Sequence, residues 1–118
     1  MSAYYEIFLK TVKPFDEVIE DVGRAVGVEL ASEPSSNAVL FYRAVTDSSV
    51  IEVESSHAYE DDYGIEFSRF PIVITVRDLD SDKDREESTA LSLLQFLAKD
   101  GGYAGLLVFD LKRRVAEI

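Results

Sequence analysis

Between residues 59 and 63 three carboxylates stand in a row between two phenols, Tyr59-Glu60-Asp61-Asp62-Tyr63. These residue types suit recognition better than bond-making. Tyrosine brings a large ring with little rotamer freedom to lose, so it is favoured at the core of interfaces. Carboxylates at a rim mainly speed association with a cationic partner. Glu52 and Glu54 lie just upstream in an alternating run, and Glu6 lies in another. If that alternation turns all three to the same sheet face, they extend the acidic surface of the 59–63 stretch.

A second acidic group, Asp78-Leu79-Asp80-Ser81-Asp82, follows the most strand-like run in the chain, Phe70 to Arg77. A calcium loop of the EF-hand type needs glycine at its sixth position and glutamate at its twelfth. Counting from Asp78 puts Lys83 and Thr89 there; counting from Asp80 puts Arg85 and Leu91 there. Asp78 and Asp80 are therefore weak metal candidates, and carboxylates that cap the following helix are the simpler reading. A strand ending in Asp-x-Asp also resembles phosphotransfer enzymes of the haloacid dehalogenase type. The resemblance implies that Asp78 attacks phosphate and Asp80 handles the leaving-group proton. It covers these two residues only, and 118 residues leave no room for the larger parallel sheet of those enzymes.

His57 is the sole histidine, so a paired-histidine mechanism or a multi-histidine zinc site cannot be assembled. No G-x-S-x-G nucleophile turn occurs. The run Asp100-Gly101-Gly102-Tyr103-Ala104-Gly105 leads from helix to strand, the reverse of a dinucleotide fingerprint, and reads as a helix stop. No cofactor is implied.

The totals narrow the partners. The chain has 23 acids and 12 bases, net −11, and no cysteine. Both halves are acidic, so no tail accounts for the excess. Contact with nucleic acid phosphates depends on lysine and arginine, so direct nucleic acid binding is not expected, nor is binding to anionic membranes. The absence of cysteine excludes disulfides and thiolate metal sites and fits a reducing compartment. No apolar run approaches 18 residues, and Met1 to Lys10 alternate where a signal peptide would be continuously apolar. A cytoplasmic protein of one domain, residues 1–118, is expected.

The elements that must position these groups follow from periodicity. Tyr4 to Leu9 alternate as a first strand. Pro14 opens a helix whose apolar stripe is Phe15, Val18, Ile19, Val22 and Val26, and Gly27 stops it. Glu33 to Asn37 is a turn-rich connector. Ala38 to Thr46 is a strand, 46–49 a hairpin turn and Val50 to Glu54 the return strand. The 55–69 segment is irregular, with Ile65 to Ser68 able to form a short strand. A second helix starts at Asp80 or Ser81, where Ser81 and Asp84 imitate a capping box, and ends at Gly101-Gly102. Ala104 to Asp110 is the last strand, and Leu111 to Ile118 a final helical turn.

The order β-α-β-β-β-α-β predicts an α+β two-layer sandwich: a mixed or antiparallel sheet of about five strands, two helices on one face, and the other face partly open. It is close to a ferredoxin-like arrangement with an extra hairpin. The leading functional expectation is a non-catalytic acidic protein that recognises a basic protein, as immunity proteins and antitoxins do in general outline. Tyr59, Glu60, Asp61, Asp62 and Tyr63 would make the contact, with Glu52 and Glu54 helping. The alternatives are a small carboxylate-dependent, metal-assisted enzyme, and a homodimer or structural domain pairing through its open sheet face or edge.

Overall fold

The computed structural model describes residues 4–35 and 38–118. Ser36 and Asn37 of the connector, and the first three residues of the alternating amino terminus, lie outside the described residues. In chain order the elements are β1 (Tyr5–Thr11), α1 (Phe15–Val26), β2 (Ala31–Glu33), β3 (Phe41–Val45), β4 (Ser49–Glu54), β5 (Ile72–Asp78), α2 (Lys83–Asp100), β6 (Tyr103–Phe109) and β7 (Arg113–Glu117). The strands form one sheet in the order β2-β3-β4-β5-β1-β6-β7, and every neighbouring pair is antiparallel. The α+β class is as expected. The sheet has seven strands where about five are expected, and it is antiparallel throughout.

Strand alternation divides the side chains between two faces. Ile7 and Leu9 of β1, Ile51 and Val53 of β4, and Ile72, Ile74 and Val76 of β5 point to one face. There they meet Val18 and Val22 of α1 and Ala90, Leu94 and Leu97 of α2 in the main core. The α1 stripe is the one its 3.6-residue period predicts, and Gly27 ends the helix with φ 77°. Leu107, between the residues that turn to the opposite face, also enters the main core.

The opposite face is not simply open. A second apolar cluster holds Phe8, Val73, Leu106 and Val108 from the sheet together with Ile65 and Phe67 from the 55–70 segment. Ile65 to Ser68 is therefore no sheet strand. Phe67–Arg69 is a short 3-10 turn, and Ile65 makes only an isolated bridge to Asp62.

Other boundaries also move. Within Leu111 to Ile118, Arg113–Glu117 forms β7 and not a helical turn, because Ala116 and Ile118 have apolar core to pack on and Gly105 and Ile118 exchange backbone hydrogen bonds of 2.9 and 3.3 Å. Ala31–Glu33 adds the edge strand β2, too short and exposed to show in the alternation. Ala38 has φ 60°, and β3 starts only at Phe41. The α2 cap is Asp82, one residue after Ser81. Asp82 accepts the Arg85 N–H at 3.1 Å, while Ser81 itself has φ 57°. Among the described residues no helix is long and apolar enough to cross a membrane.

Candidate functional site

The 55–70 segment is built to hold its polar tip outward. Asp62 and Ile65 exchange backbone hydrogen bonds of 3.1 and 2.8 Å around Tyr63 and Gly64, whose φ values are 52° and 73°. Two consecutive positive φ values define a tight primed turn, and glycine at the second position makes it accessible. The Tyr63 N–H also donates to Asp62 Oδ1 at 2.8 Å. Behind the tip, Asp61 accepts the Ser68 backbone N–H at 2.8 Å and the Ser68 hydroxyl at 3.1 Å. These bonds hold its carboxyl below the usual range. Ile65 and Phe67 then anchor the segment on the sheet, the Phe67 ring lying 4.8 Å from that of Phe8.

His57 is a latch. Its Nε2 donates to the Phe70 carbonyl at 2.7 Å and its Nδ1 accepts the Tyr59 N–H at 3.1 Å. That pair of bonds specifies the tautomer and commits both nitrogens to backbone, so the ring holds a loop together and is not placed to move protons. Its edge meets Phe8 at 5.2 Å.

Of the expected contact residues, Tyr63 is 61% exposed and Tyr59 is 40% exposed. Glu60 and Asp62 stand beside them at the surface. Asp61 is exposed but spends its carboxylate on Ser68. Glu52 and Glu54 do lie on this face, in register with Thr75 and Val73. Glu52 is occupied by Arg77 at 3.0 Å and Arg43 at 3.9 Å. Glu54 is half-buried, and its carboxyl is pushed up by burial and by Glu52. The segment thus brings Tyr59, Glu60, Asp62 and Tyr63 together and leaves Glu52 apart in an ion pair.

Beneath Tyr59 lies Glu6, only 8% exposed. It takes a 3.4 Å hydrogen bond from the Thr75 hydroxyl and another from the Tyr59 hydroxyl. Burial pushes its carboxyl up to about 7, against these two hydrogen bonds, and Glu54 adds to the rise. The Tyr59 phenol is raised in turn by burial and by the two carboxylates. One signal in the sequence marks Glu6 as unusual: it is the only acid in the alternation of the first strand.

The Asp78 group is a different construction. Both Asp78 oxygens face Arg85, at 2.6 Å from Nε and 2.9 Å from Nη2, and Oδ1 also accepts the backbone N–H groups of Asp80 and Asp82. Arg85 reaches Asp80 as well, at 3.0 Å. The fully buried Glu86 accepts the Asp78 N–H at 2.8 Å and the Lys83 ammonium at 3.1 Å. The Arg85 guanidinium holds the Asp78 carboxyl far below its ordinary value. A cation at Asp78 and Asp80 would have to displace an arginine, so these residues act as the fixed corner between β5 and α2. Among the described residues no three histidine or acidic side chains converge as a metal cluster.

A third ionic group closes the other end of the sandwich. Asp21 of α1 accepts the Tyr103 hydroxyl at 2.5 Å, Lys13 at 3.1 Å and the Arg24 guanidinium. Burial alone would raise its carboxyl, but these donors outweigh burial and hold it at about 2. Compared with protein-family models, with curated proteins and with solved structures, the chain matches none.

Proposed function

We propose that the protein is a non-catalytic binding protein whose 59–63 tip recognises a basic protein. The observation that carries this reading is the construction of the tip. Tyr63 is exposed on a turn fixed by backbone pairing, by the Asp61–Ser68 bonds and by the Phe67 anchor, and the partly exposed Tyr59 beside it is held by Phe8 and Glu6, so little ordering entropy is lost on binding. Lys112 lies 5.9 Å from the Tyr63 ring centroid and Arg114 donates to the Gly64 carbonyl at 3.3 Å, so the steering charge of the tip is supplied by Glu60 and Asp62, beside the tyrosine anchor. The charge distribution supports the same reading. Every lysine and arginine among the described residues except Lys10 and Lys99 is within an ion pair, whereas Glu60 and Asp62 are in none. The connectivity also supports a ferredoxin-like core: α1 leads from β1 towards the sheet edge, β4 and β5 return beside it, and α2 carries the chain from β5 across β1 to β6. In that reading β2, β3 and β7 are additions.

The test is capture from lysate with the wild-type protein and two variants, at low and high salt. One variant combines Glu60→Gln, Asp62→Asn and Tyr63→Ala. The other, Val12→Ala, changes a fully exposed residue far from the tip. The expected result is a basic protein retained by the wild type and by Val12→Ala, lost with the triple variant and weakened by salt. Capture that the triple variant keeps, or no basic protein captured, overturns the proposal.

A further inference from the structure

We propose that the groove between the outer side of α1 and the 27–30 turn binds a small organic ammonium ion carrying an apolar body. The groove encloses about 630 Å³, within the size of small-molecule sites. It lies at the β2–β3 side of the sheet, away from the 59–63 tip, and is independent of the reading proposed for that tip.

Its floor is apolar: Ile19, Val28, Leu30 and the ring of Tyr42. Tyr42 is backed by Phe15 at 6.0 Å between ring centroids. Its rim carries Asp16, Glu20 and Glu29, and none of the three is in an ion pair among the described residues. Arg24 is the one cation on the wall, and its guanidinium is taken by Asp21 and, at 3.5 Å, by Asp100. Three carboxylates, Glu20 among them partly offset by the nearby Arg24, outnumber the single cation around this apolar floor and leave the groove net negative. The tyrosine face adds attraction for an ammonium group. An anion is repelled from such a groove, and a neutral molecule gains only the floor.

Gly23 lets the 27–30 turn that walls the groove pack against α1. A Cβ there would lie 3.2 Å from the Val28 carbonyl oxygen and 3.6 Å from Leu30 Cδ1. The 27–30 turn therefore closes directly onto the helix backbone. Glycine inside a helix costs about 1 kcal/mol relative to alanine, and here that loss allows the close approach.

The experiment is an amide-resolved NMR titration of the full chain at low salt with phenethylammonium, phenethyl alcohol and phenylacetate. Saturable shifts are expected for phenethylammonium at the amides of Ile19, Gly23, Gly27 and Tyr42. The alcohol should bind about fivefold more weakly or less, and phenylacetate should leave those amides unmoved. The double variant Glu20→Gln and Glu29→Gln should keep the spectrum of a folded protein and weaken the ammonium by about fivefold or more. The proposal is overturned by amine shifts that fail to saturate, by shifts spread over the acids of the 59–63 tip and α2, by equal binding of the alcohol, or by unchanged affinity in the double variant.

Discussion

Glu6 is the residue whose ionisation the fold controls most directly. Its carboxyl is raised from 4.5 to about 7, chiefly by burial under Tyr59 and also by the nearby Glu54. A raised acid contributes fully to stability only while it is protonated in both states, below its ordinary value of 4.5. That contribution is lost as pH rises through the folded value near 7. The loss amounts to about 3 to 4 kcal/mol, from roughly 1.4 kcal/mol for each pH unit between 4.5 and about 7. Glu6→Gln keeps an acceptor for the Tyr59 and Thr75 hydroxyls and removes the charge. It should leave stability near pH 4.5 almost unchanged, raise it by about 3 kcal/mol at pH 8, and flatten the profile between. Denaturant unfolding across that range measures the effect, and a wild-type slope retained by the variant would sink this account of Glu6. Asp78 and Asp21 titrate the other way. Their donors hold them low, so their contribution is present above their ordinary values and is lost in acid.

At the scale of elements, the 55–70 segment separates what periodicity can show from what it cannot. The hairpin of β3 and β4 was legible because Ile51 and Val53 alternate with Val50, Glu52 and Glu54. The α1 stripe was legible for the same reason. The 55–70 segment has no period, since its order comes from particular side-chain meetings, some within the segment and some with the sheet far away in sequence. Phe67 finds Phe8, Asp61 finds Ser68, and His57 finds the Phe70 carbonyl. The β7 strand escaped detection because Val115, Ala116 and Ile118 are apolar enough for either structure, and only the free edge of β6 selects the strand. Removing the anchor tests the segment. Phe67→Ala should cost about 3 to 5 kcal/mol if the site cannot collapse. It should also open 55–70 to limited proteolysis while α2 stays protected. Equal protection of both regions in the variant would show that the anchor lies elsewhere.

The whole molecule carries more negative charge than its cations can answer. Most basic side chains are drawn into ion pairs, among them Asp78 with Arg85, Asp21 with Lys13 and Arg24, and Glu52 with Arg77. The remaining acids repel one another over the surface, including those of the groove rim and the tip. Screening should therefore stabilise the protein. Raising sodium chloride from about 20 to about 200 mM at pH 8, which shortens the Debye length to below 10 Å, should raise the melting temperature by a few degrees. A fall would mean that the ion pairs outweigh the repulsion. The sequence alone determined the acidic balance, the absence of thiol chemistry, both helices and the hairpin, because composition and period are local properties of a chain. Only the tertiary structure decided that Asp78 serves an arginine, that Glu6 lies beneath Tyr59 and that a groove opens beside Gly23. Those outcomes depend on which distant side chains meet when the sheet closes, and no spacing along the chain encodes such meetings.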